Sequence, residues 1–326
     1  MNYRNLGNTG LKVSPLCLGC MSFGQGQMHS GWTLDEEASL PFFRRSIERG
    51  INFFDTADAY GEGASEIVVG KAMREFARRD EVVIATKFYA PTHPGPNGRG
   101  ASRKHIMAAV DASLRRLGTD HIDLYQQHNW DATTPLEETL RALDDLVRAG
   151  KVLHIGASNY TAWQLAKALQ IQEVNGLARF ASMQVQYNLI YREEEREMIP
   201  MCADQGLGVM AWSSLARGFL AGNRDRDGAG ETARAKGDAL ARRMYFHEGD
   251  FTVRDRLHAL AEARDVPPMQ IALAWIAARP GLTAPIIGAT KLAQLDQAID
   301  ALDLSLNEAE IAELDAAYTP RLPFSF

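Results

Sequence analysis

Eight short apolar runs recur along the chain with helical segments between them, and this rhythm constrains the fold more than any other feature. Most are separated by about 25 to 40 residues, the spacing that a strand followed by a helix requires. They are apolar on consecutive residues, which is typical of parallel strands covered on both faces. The runs occupy residues 13–19, 51–54, 82–87, 122–128, 152–158, 182–188, 208–214 and 284–290. Eight such units predict a closed (β/α)8 TIM barrel, with an open doubly wound sheet as the alternative.

Three S/T-x-x-E sequences indicate where helices between the runs begin. In such a capping box the serine or threonine caps the helix, and the glutamate three residues later bonds back to the cap. The sequences are Thr33–Glu36, Thr134–Glu137 and Ser305–Glu308. The second also carries a proline at the predicted first helical position, where its missing N–H costs nothing.

The stretch Gly206–Ala211 reads GLGVMA and matches the G-x-G-x-x-A dinucleotide fingerprint, which would favour the doubly wound sheet. A genuine fingerprint follows a strand and opens a helix, whereas here a helical segment precedes the glycines and an apolar run follows them. We therefore interpret them as a helix stop and a loop. No domain boundary is evident, so residues 1–326 are predicted to form a single domain. The irregular stretch from about residue 222 to 250 is predicted to be a lid.

Composition and charge favour a small-molecule partner. The chain has 326 residues and a formal charge of −6, with both signs interleaved, so it offers no basic stripe for nucleic acid and no polybasic membrane patch. No run approaches the roughly 20 apolar residues that span a bilayer, and the first residues lack a signal-peptide core. A cytoplasmic location is expected. The sequence gives no indication of the oligomeric state.

Cysteine and histidine spacing predicts neither a disulfide framework nor a metal site. The pair Cys17 and Cys20 forms a CxxC. In an extended strand their α-carbons would lie roughly 10 Å apart, beyond the ~7 Å that a disulfide bridge allows. No second CxxC completes a zinc site, and no HExxH or EF-hand pattern is present.

Four reactive side chains follow the apolar runs at the points where those runs end. Asp55 ends INFFD, Tyr60 lies on the loop after it, Lys87 ends ATK and His128 ends YQQH. Each alone has a structural explanation as a turn cap, a long side chain reaching solvent, or a packed core residue. In a barrel, however, the carboxyl ends of the strands meet at one face, which is where active sites lie.

Together these residues predict acid–base chemistry. A buried ammonium beside a phenol favours the phenolate, so Lys87 is expected to lower the pKa of Tyr60. A carboxylate at Asp55 would keep Lys87 charged and directed. Tyr60 would then be a usable general acid near neutral pH.

A series of motifs, in order along the chain, resembles that of the aldo-keto reductases: FFDTADAYG, ATKF, YQQHNWD, GKVLHIGASNY, QVQYNLI, AWSSLARGFL and IIGATKLAQLDQ. The resemblance implies a barrel that binds NADPH without a Rossmann domain and reduces aldehydes or ketones to alcohols by hydride transfer from the nicotinamide. The segment at about 222–250 would then cover the cofactor. WTLDEE, HNWDATTPLEETL and YNLIYREEERE resemble bacterial members near the potassium-channel β subunits.

The resemblance also implies roles for the four reactive residues. Tyr60 would donate the proton to the carbonyl oxygen, Lys87 would lower its pKa, and Asp55 would pair with Lys87. His128 would hydrogen-bond the carbonyl and orient it. These are the roles that the chemistry of the residues indicates independently.

The implied cofactor contacts fall in three groups. The nicotinamide carboxamide would be held by Ser158, Asn159 and Gln184, with Trp212 stacked on the ring. The pyrophosphate loop would comprise Ser213, Leu215, Arg217 and Gly218. The adenosine end would contact Gly288, Thr290, Gln294 and Gln297, and Lys291 is the nearest cation for the 2′-phosphate. Alternatively, Trp212 is a packed barrel residue, and Gln294 and Gln297 form the solvated face of a helix.

The sequence departs from the family's motifs at two places. Ser214 stands where the family usually has proline, and Gln297-Ala298 where many members have Glu-Asn. Apolar candidates for lining the mouth of the active site are Trp32, Tyr89 and Trp130.

The first hypothesis for the function is an NADPH-dependent reductase of small carbonyl compounds. The alternative is an NADP-binding redox sensor or accessory subunit with incidental turnover. His128 favours the enzyme, because the channel relatives carry asparagine there.

Overall fold

Eight parallel strands close into a barrel. A computed structural model of the protein describes residues 1–26, 31–222, 226, 230 and 232–323. The barrel strands are β3 Cys17–Gly19, β4 Phe53–Asp55, β5 Val83–Phe88, β6 Ile122–Gln127, β7 Val152–Ser158, β8 Phe180–Gln186, β9 Gly208–Trp212 and β10 Leu282–Ile287. They follow one another around the barrel, and β10 closes it on β3. The eight predicted strands and the TIM-barrel fold are confirmed, and the doubly wound alternative is wrong.

A short antiparallel hairpin, β1 Arg4–Asn5 with β2 Lys12–Val13, precedes the barrel. Its residues Leu6 and Val13 are fully buried and belong to one apolar cluster with Phe53, Leu124 and Met210 from the barrel interior. The amino-terminal end of the barrel is therefore filled with apolar side chains. This leaves the carboxyl end of the strands for polar residues.

Helices cover the outside of the barrel. They are α1 Glu36–Glu48, α2 Ala64–Phe76, α3 Arg103–Leu117, α4 Leu136–Arg148, α5 Ala162–Val174, α6 Met198–Asp204, α7 Ala233–Gly237, α8 Ala239–Met244, α9 Glu248–Ala263, α10 Pro268–Ala277, α11 Leu292–Asp300 and α12 Glu308–Ala316. Apolar residues from both layers, such as Phe43, Phe54 and Trp275, form a second, larger core between barrel and helices. None of the described helices has the length and apolar character to cross a membrane.

The three predicted capping boxes belong to real helices, but each was placed too early. The first helix is capped by Asp35, whose Oδ1 accepts from the N–H of Ala38 at 2.8 Å. The last is capped by Asn307, in a capping box with Glu310. Helix α4 begins after Pro135 with no side-chain cap, because the Thr134 hydroxyl bonds instead to Asp131. In the first and last of these helices, a polar residue two positions nearer the helix therefore caps it in place of the predicted threonine or serine.

The interpretation of GLGVMA as a helix stop is confirmed. Helix α6 ends at Asp204, Gly206 adopts the left-handed conformation with φ 70°, and β9 begins at Gly208. The stretch at 222–250 differs from the expectation of irregular chain. Its described part contains α7 and α8, and α9 begins at Glu248. Side-chain caps from Thr232 and Asp238 account for the two short helices, a signal that the glycine and charge content concealed.

Candidate functional site

The strand register brings the predicted catalytic residues to one end of the barrel. Alternate residues of a strand point inward, so Asp55 follows Phe53 and Lys87 follows Ala85 on the inner face. Beyond Asp55 the chain stays beside β5, because the N–H groups of Thr56 and Asp58 donate to the carbonyls of Ala85 and Lys87 at 2.8 and 3.1 Å. This path brings Tyr60 back over Lys87.

Lys87 is the centre of the site. Its side chain is fully buried, and Nζ lies 2.5 Å from Asp55 Oδ2 and 2.8 Å from the carbonyl oxygen of Thr56. The third neighbour is the Tyr60 hydroxyl, at 3.5 Å. Burial, the largest single influence, would lower the pKa of Lys87, but the Asp55 carboxylate and the Tyr60 hydroxyl together outweigh burial and the pKa is raised. The lysine is therefore charged at neutral pH.

The Tyr60 pKa differs from the expectation. Burial raises the pKa of the phenol above its ordinary value, and the charge of Lys87 offsets only part of that rise. The expectation took account of the Lys87 ammonium, which lowers the Tyr60 pKa, but not of the loss of solvation of the phenol, which raises it. Tyr60 is consequently protonated throughout the neutral range, which is the state that a proton donor requires.

His128 stands beside Tyr60 at the same face. The two rings meet edge to face, with centroids 5.9 Å apart. Burial, and then the nearby Lys87 charge, lower the pKa of His128 to about 3. The imidazole is therefore neutral at physiological pH, so it is able to donate a hydrogen bond without carrying a charge.

The carboxylate of Asp55 is held by two amides as well as by Lys87. Gln126 Nε2 and Gln184 Nε2 donate to Asp55 Oδ1 at 3.1 and 3.0 Å. Gly156 pairs with Gln126 across the sheet, and a Cβ on it would lie 2.6 Å from Ser182 Oγ and 3.2 Å from Gln126 Cγ. Glycine there leaves room for Gln126. Sequence reasoning missed Gln126, although its place between Leu124 and His128 on one face of the strand was a usable signal.

A cavity of about 830 Å³ opens above these residues at the carboxyl ends of the strands. Predicted site residues that line it are Asp55, Tyr60, His128, Asn159, Gln184, Trp212, Ser213, Leu215, Arg217, Gly218, Gly288, Thr290, Lys291 and Gln294. Lys87 and Ser158 are fully buried and not among the lining residues, and neither is Gln297, on α11. The structure thus brings together nearly all of the predicted site, and it excludes Gln297 from the cavity wall.

Asn159 and Trp212 are joined at one side of the cavity. The indole N–H of Trp212 donates to Asn159 Oδ1 at 3.0 Å, and Asn159 Nδ2 donates to the carbonyl of His128 at 3.0 Å. Asn159 adopts a left-handed conformation with φ 55°. Next to it, the Ser158 hydroxyl is buried and has no hydrogen-bond partner within the described parts of the chain.

The loop after β9 is backbone-strained. Ser213, Ala216 and Arg217 adopt φ of 56°, 48° and 56°, the left-handed region in which a non-glycine residue costs about 1 kcal/mol or more. Ser214, which replaces the family's usual proline, has its hydroxyl 2.9 Å from the Ala211 carbonyl and 3.1 Å from that of Ile286. Such strain persists where the surroundings fix the loop, often at ligand-binding sites.

The start of α11 forms the opposite wall. Gln294 Oε1 accepts from the backbone N–H groups of Thr290 and Lys291 at 3.1 and 3.2 Å. These amides are donors at a helix N-terminus, a position that favours anions. Gln294 therefore caps the end of α11 that faces the cavity, and it does not belong to a solvated face of that helix.

Of the three apolar candidates for the mouth, Trp32 lines the cavity. Trp130 instead packs edge to face on Tyr160 and Trp163, with centroids 5.0 and 5.9 Å away. The guanidinium of Arg99 lies over the ring of Tyr89, and its Cζ is 5.6 Å from the centroid of that ring. Neither lines the cavity, so both were misplaced. The lining residues that were not predicted as members of the site include Met21, Ser22, Thr232 and Arg234.

Two observations indicate that the residues around the cavity fit a nicotinamide dinucleotide. The unpartnered Ser158 hydroxyl lies beside Asn159 and Gln184, where a carboxamide would satisfy it. At the other end the cavity is lined by Arg217 and Lys291, cations suited to phosphate groups. Polar groups for an amide at one end and cations at the other match the two ends of such a cofactor.

Comparison with known proteins agrees with this geometry. The model described as the aldo/keto reductase family matches residues 15–319. A versiconal hemiacetal acetate reductase of Aspergillus parasiticus is 41% identical over 98% of each chain. A putative aryl-alcohol dehydrogenase of Schizosaccharomyces pombe is 39% identical over 98% of this chain and 96% of its own. An uncharacterized oxidoreductase of Bacillus subtilis is 38% identical over 94% of this chain and 93% of its own. The predicted family is confirmed.

One buried carboxyl near the site plays no part in the chemistry described so far. Asp58, two residues before Tyr60, is 4% exposed, and within the described residues neither of its carboxyl oxygens has a hydrogen-bond partner. Burial, and then the charge of Glu66, raise the pKa of Asp58 to about 8. Arg116 and Lys87 oppose that rise. The folded protein thus retains a proton here that the unfolded chain has lost.

This proton predicts a pH-dependent stability. Between about pH 4, the ordinary aspartate value, and pH 8 the folded state binds more protons than the unfolded state, so stability falls as the pH rises. Asp58→Asn cannot lose a proton. We expect the free energy of unfolding in urea to fall between pH 5 and pH 8.5 by about 1 kcal/mol or more in excess of the fall in the variant. Asp303→Asn, at an exposed position, should keep the parental dependence. Equal slopes for parent and Asp58→Asn would show that Asp58 is ionised when folded.

Proposed function

Because the chain belongs to the aldo/keto reductase family, we propose that it reduces aldehydes or ketones to alcohols with NADPH and that Tyr60 donates the proton. It is an oxidoreductase of a family that uses nicotinamide cofactors. The observation that supports Tyr60 as the proton donor is the position of its hydroxyl, which lies 3.5 Å from a buried, charged Lys87 at the floor of the cavity.

The residues divide the work as follows. Tyr60, protonated at neutral pH, donates its proton to the carbonyl oxygen as that oxygen gains negative charge. Lys87 stabilises the phenolate that remains, and Asp55 keeps Lys87 charged and in place. Neutral His128 donates a hydrogen bond to the carbonyl oxygen and so orients the substrate.

The cofactor supplies the hydride. On the chain's side, Ser158, Asn159 and Gln184 would hold the carboxamide, and Trp212 would contact the ring. The side-chain NH2 of Gln184 donates to Asp55, so the side-chain carbonyl oxygen of Gln184 is the group available to accept from the carboxamide. Ser213, Leu215, Arg217 and Gly218 would hold the pyrophosphate. Gly288, Thr290, Lys291 and Gln294 would hold the adenosine end.

The relatives favour an enzyme over a sensor. They are named as a versiconal hemiacetal acetate reductase and a putative aryl-alcohol dehydrogenase, which supports small aromatic or aliphatic carbonyl compounds as substrates. These relatives are fungal, and they give no support for a place near the potassium-channel β subunits. The sensor hypothesis depended on that placement, so we propose turnover as the function. A cytoplasmic location likewise remains a prediction.

The central prediction concerns the Tyr60 hydroxyl. Tyr60→Phe removes only that group, so carbonyl reduction should slow by roughly 10²- to 10⁴-fold, the usual contribution of a general acid. Loss of NADPH absorbance at 340 nm with an aldehyde panel measures the rate. Binding of NADPH, followed by its fluorescence, should change little.

Tyr160→Phe is the matched control. Its buried hydroxyl donates to Gln127 Oε1 at 2.6 Å and lies away from the cavity lining, so its loss should leave turnover close to parental. A Tyr60→Phe enzyme that retained more than about a tenth of the parental rate would exclude Tyr60 as the proton donor.

The cofactor preference is predicted to depend on Lys291. Its ammonium, with the Thr290 hydroxyl, is suited to a 2′-phosphate. Hydrogen bonds to a charged group contribute about 1.5–3 kcal/mol, or roughly 10- to 150-fold in affinity. Lys291→Ala should weaken NADPH by that order and leave NADH nearly unchanged.

The dissociation constants of both cofactors, by fluorescence titration, test this prediction. Lys167→Ala removes an exposed lysine from the outer helix α5 and should alter neither constant. Equal kcat/KM for the two cofactors in the parent would refute the preference. Equal weakening of both by Lys291→Ala would remove Lys291 as the 2′-phosphate ligand.

The segment at about 222–250 is proposed to cover the cofactor, so NADPH should slow trypsin cleavage there. Arg224, Arg226 and Arg234 are the cleavage sites to follow, and Arg224 lies outside the described residues. Arg226 pairs with Glu248 at 2.9 Å, and Arg234 lines the cavity. Cleavage sites identified by mass spectrometry, with and without cofactor, give the measurement. Identical rates at these sites in both conditions would argue against a cover.

A further inference from the structure

Two arginines from different parts of the chain converge on one buried carboxylate at the rim of the cavity. Arg217 lies in the strained loop after β9, and Arg234 lies on α7. Their Nε atoms are 2.7 and 3.2 Å from the same oxygen, Oδ2 of Asp238. The Asp238 side chain is 3% exposed and that of Arg217 is 7% exposed. This cluster carries a net charge of +1.

Both arginines face the cavity, and Asp238 is not among its lining residues. The guanidinium of Arg234 lies 4.5 Å from the centroid of the Trp32 ring. Its Nη1 reaches to 4.0 Å from the position that a Cβ on Gly288 would occupy. Arg234 therefore extends from α7 toward the end of β10, across the space between the loop after β9 and the start of α11.

We infer that Asp238 is a positioning residue that fixes Arg217 and Arg234 as a pair for the pyrophosphate of the bound dinucleotide. The inference rests on the proposed function and adds two groups that the sequence did not assign, the carboxylate and its second arginine. An arginine side chain has about 2 kcal/mol of rotamer entropy to lose on binding. A carboxylate that already orients both guanidinium groups removes much of that cost before the ligand arrives.

The pyrophosphate fits this position better than the 2′-phosphate does. Arg217 belongs to the loop between β9 and α7, and Arg234 reaches from α7 toward Gly288. Lys291 and Thr290 lie beyond it, at the start of α11. Asp238 also holds the strained backbone, since its bond to Arg217 fixes a residue with φ 56°.

Electrostatics is consistent with this role. Burial by itself would raise the pKa of Asp238, but Arg217 and then Arg234 outweigh burial and hold the pKa below its usual range. The carboxylate is thus charged at neutral pH. One negative charge among two positive ones leaves the cluster attractive to an anion, with both guanidinium planes held by hydrogen bonds.

Asp238→Asn tests the inference. Asparagine retains the side-chain oxygen that caps α8, where Asp238 Oδ1 accepts from Ala241 N at 3.3 Å, and it puts an NH2 donor where the charged Oδ2 accepts from both arginines. We expect dissociation constants for NADPH and NADH to rise alike, by roughly 10- to 100-fold, the scale of a hydrogen bond to a charged group. In steady-state assays the KM for cofactor should rise more than kcat falls. Asp238→Glu should recover part of the affinity.

Asp144→Asn is the matched control. Asp144 is a buried carboxylate paired with Arg148 on the outer helix α4, so its loss should change neither dissociation constant. Unchanged or tighter binding of both cofactors by Asp238→Asn would overturn the inference, the latter by showing that Asp238 competes with the phosphates. Weakening of NADPH alone would move the cluster to the 2′-phosphate and overturn the pyrophosphate assignment. A parent protein that binds neither cofactor would instead refute the proposed function.

Discussion

The buried ion pair between Lys87 and Asp55 is the interaction on which the site depends. Removing two charges from water costs several kcal/mol per ion, and such a pair rarely repays that cost as stability. Here the cost is limited by additional hydrogen bonds, from Gln126 and Gln184 to the carboxylate and from the ammonium to the Thr56 carbonyl. The result is a positive charge fixed beneath Tyr60, which opposes the rise that burial causes in the Tyr60 pKa and adds to the fall that burial causes in the His128 pKa.

The barrel accommodates this pair because its two ends are different. The amino-terminal end is closed by the hairpin and filled by apolar side chains such as Leu6, Phe53 and Met210. The same strands, one or two inward positions later, present Asp55, Lys87 and Gln126. A rigid apolar floor and closed strand ladders hold these polar groups within hydrogen-bonding distance, which is a requirement for their chemistry. The loops that line the cavity continue from the ends of these hydrogen-bonded strands.

Much of the site was readable from the sequence, and the failures share a cause. Asp55, Tyr60, Lys87 and His128 were found because each follows an apolar run, and parallel strands bring their ends together. Gln297 does not line the cavity, since a spacing on α11 does not tell which face meets it. Tyr89 and Trp130 were wrong because aromatic character does not distinguish packing on neighbours from lining a mouth. The helix starts were shifted, because Asp35 and Asn307 competed successfully as caps.

The sequence by itself determined the eight-strand barrel and the face on which Asp55, Tyr60, Lys87 and His128 meet, because periodicity and strand ends are local properties of the chain. Only the tertiary structure decided the electrostatic outcome. The rise in the Tyr60 pKa depends on how much solvent the assembled barrel excludes, and that quantity has no local signature. The meeting of Arg217, Asp238 and Arg234 was likewise decided in space, since 21 residues separate the first two and their contact arises from how the loop after β9 and α7 pack.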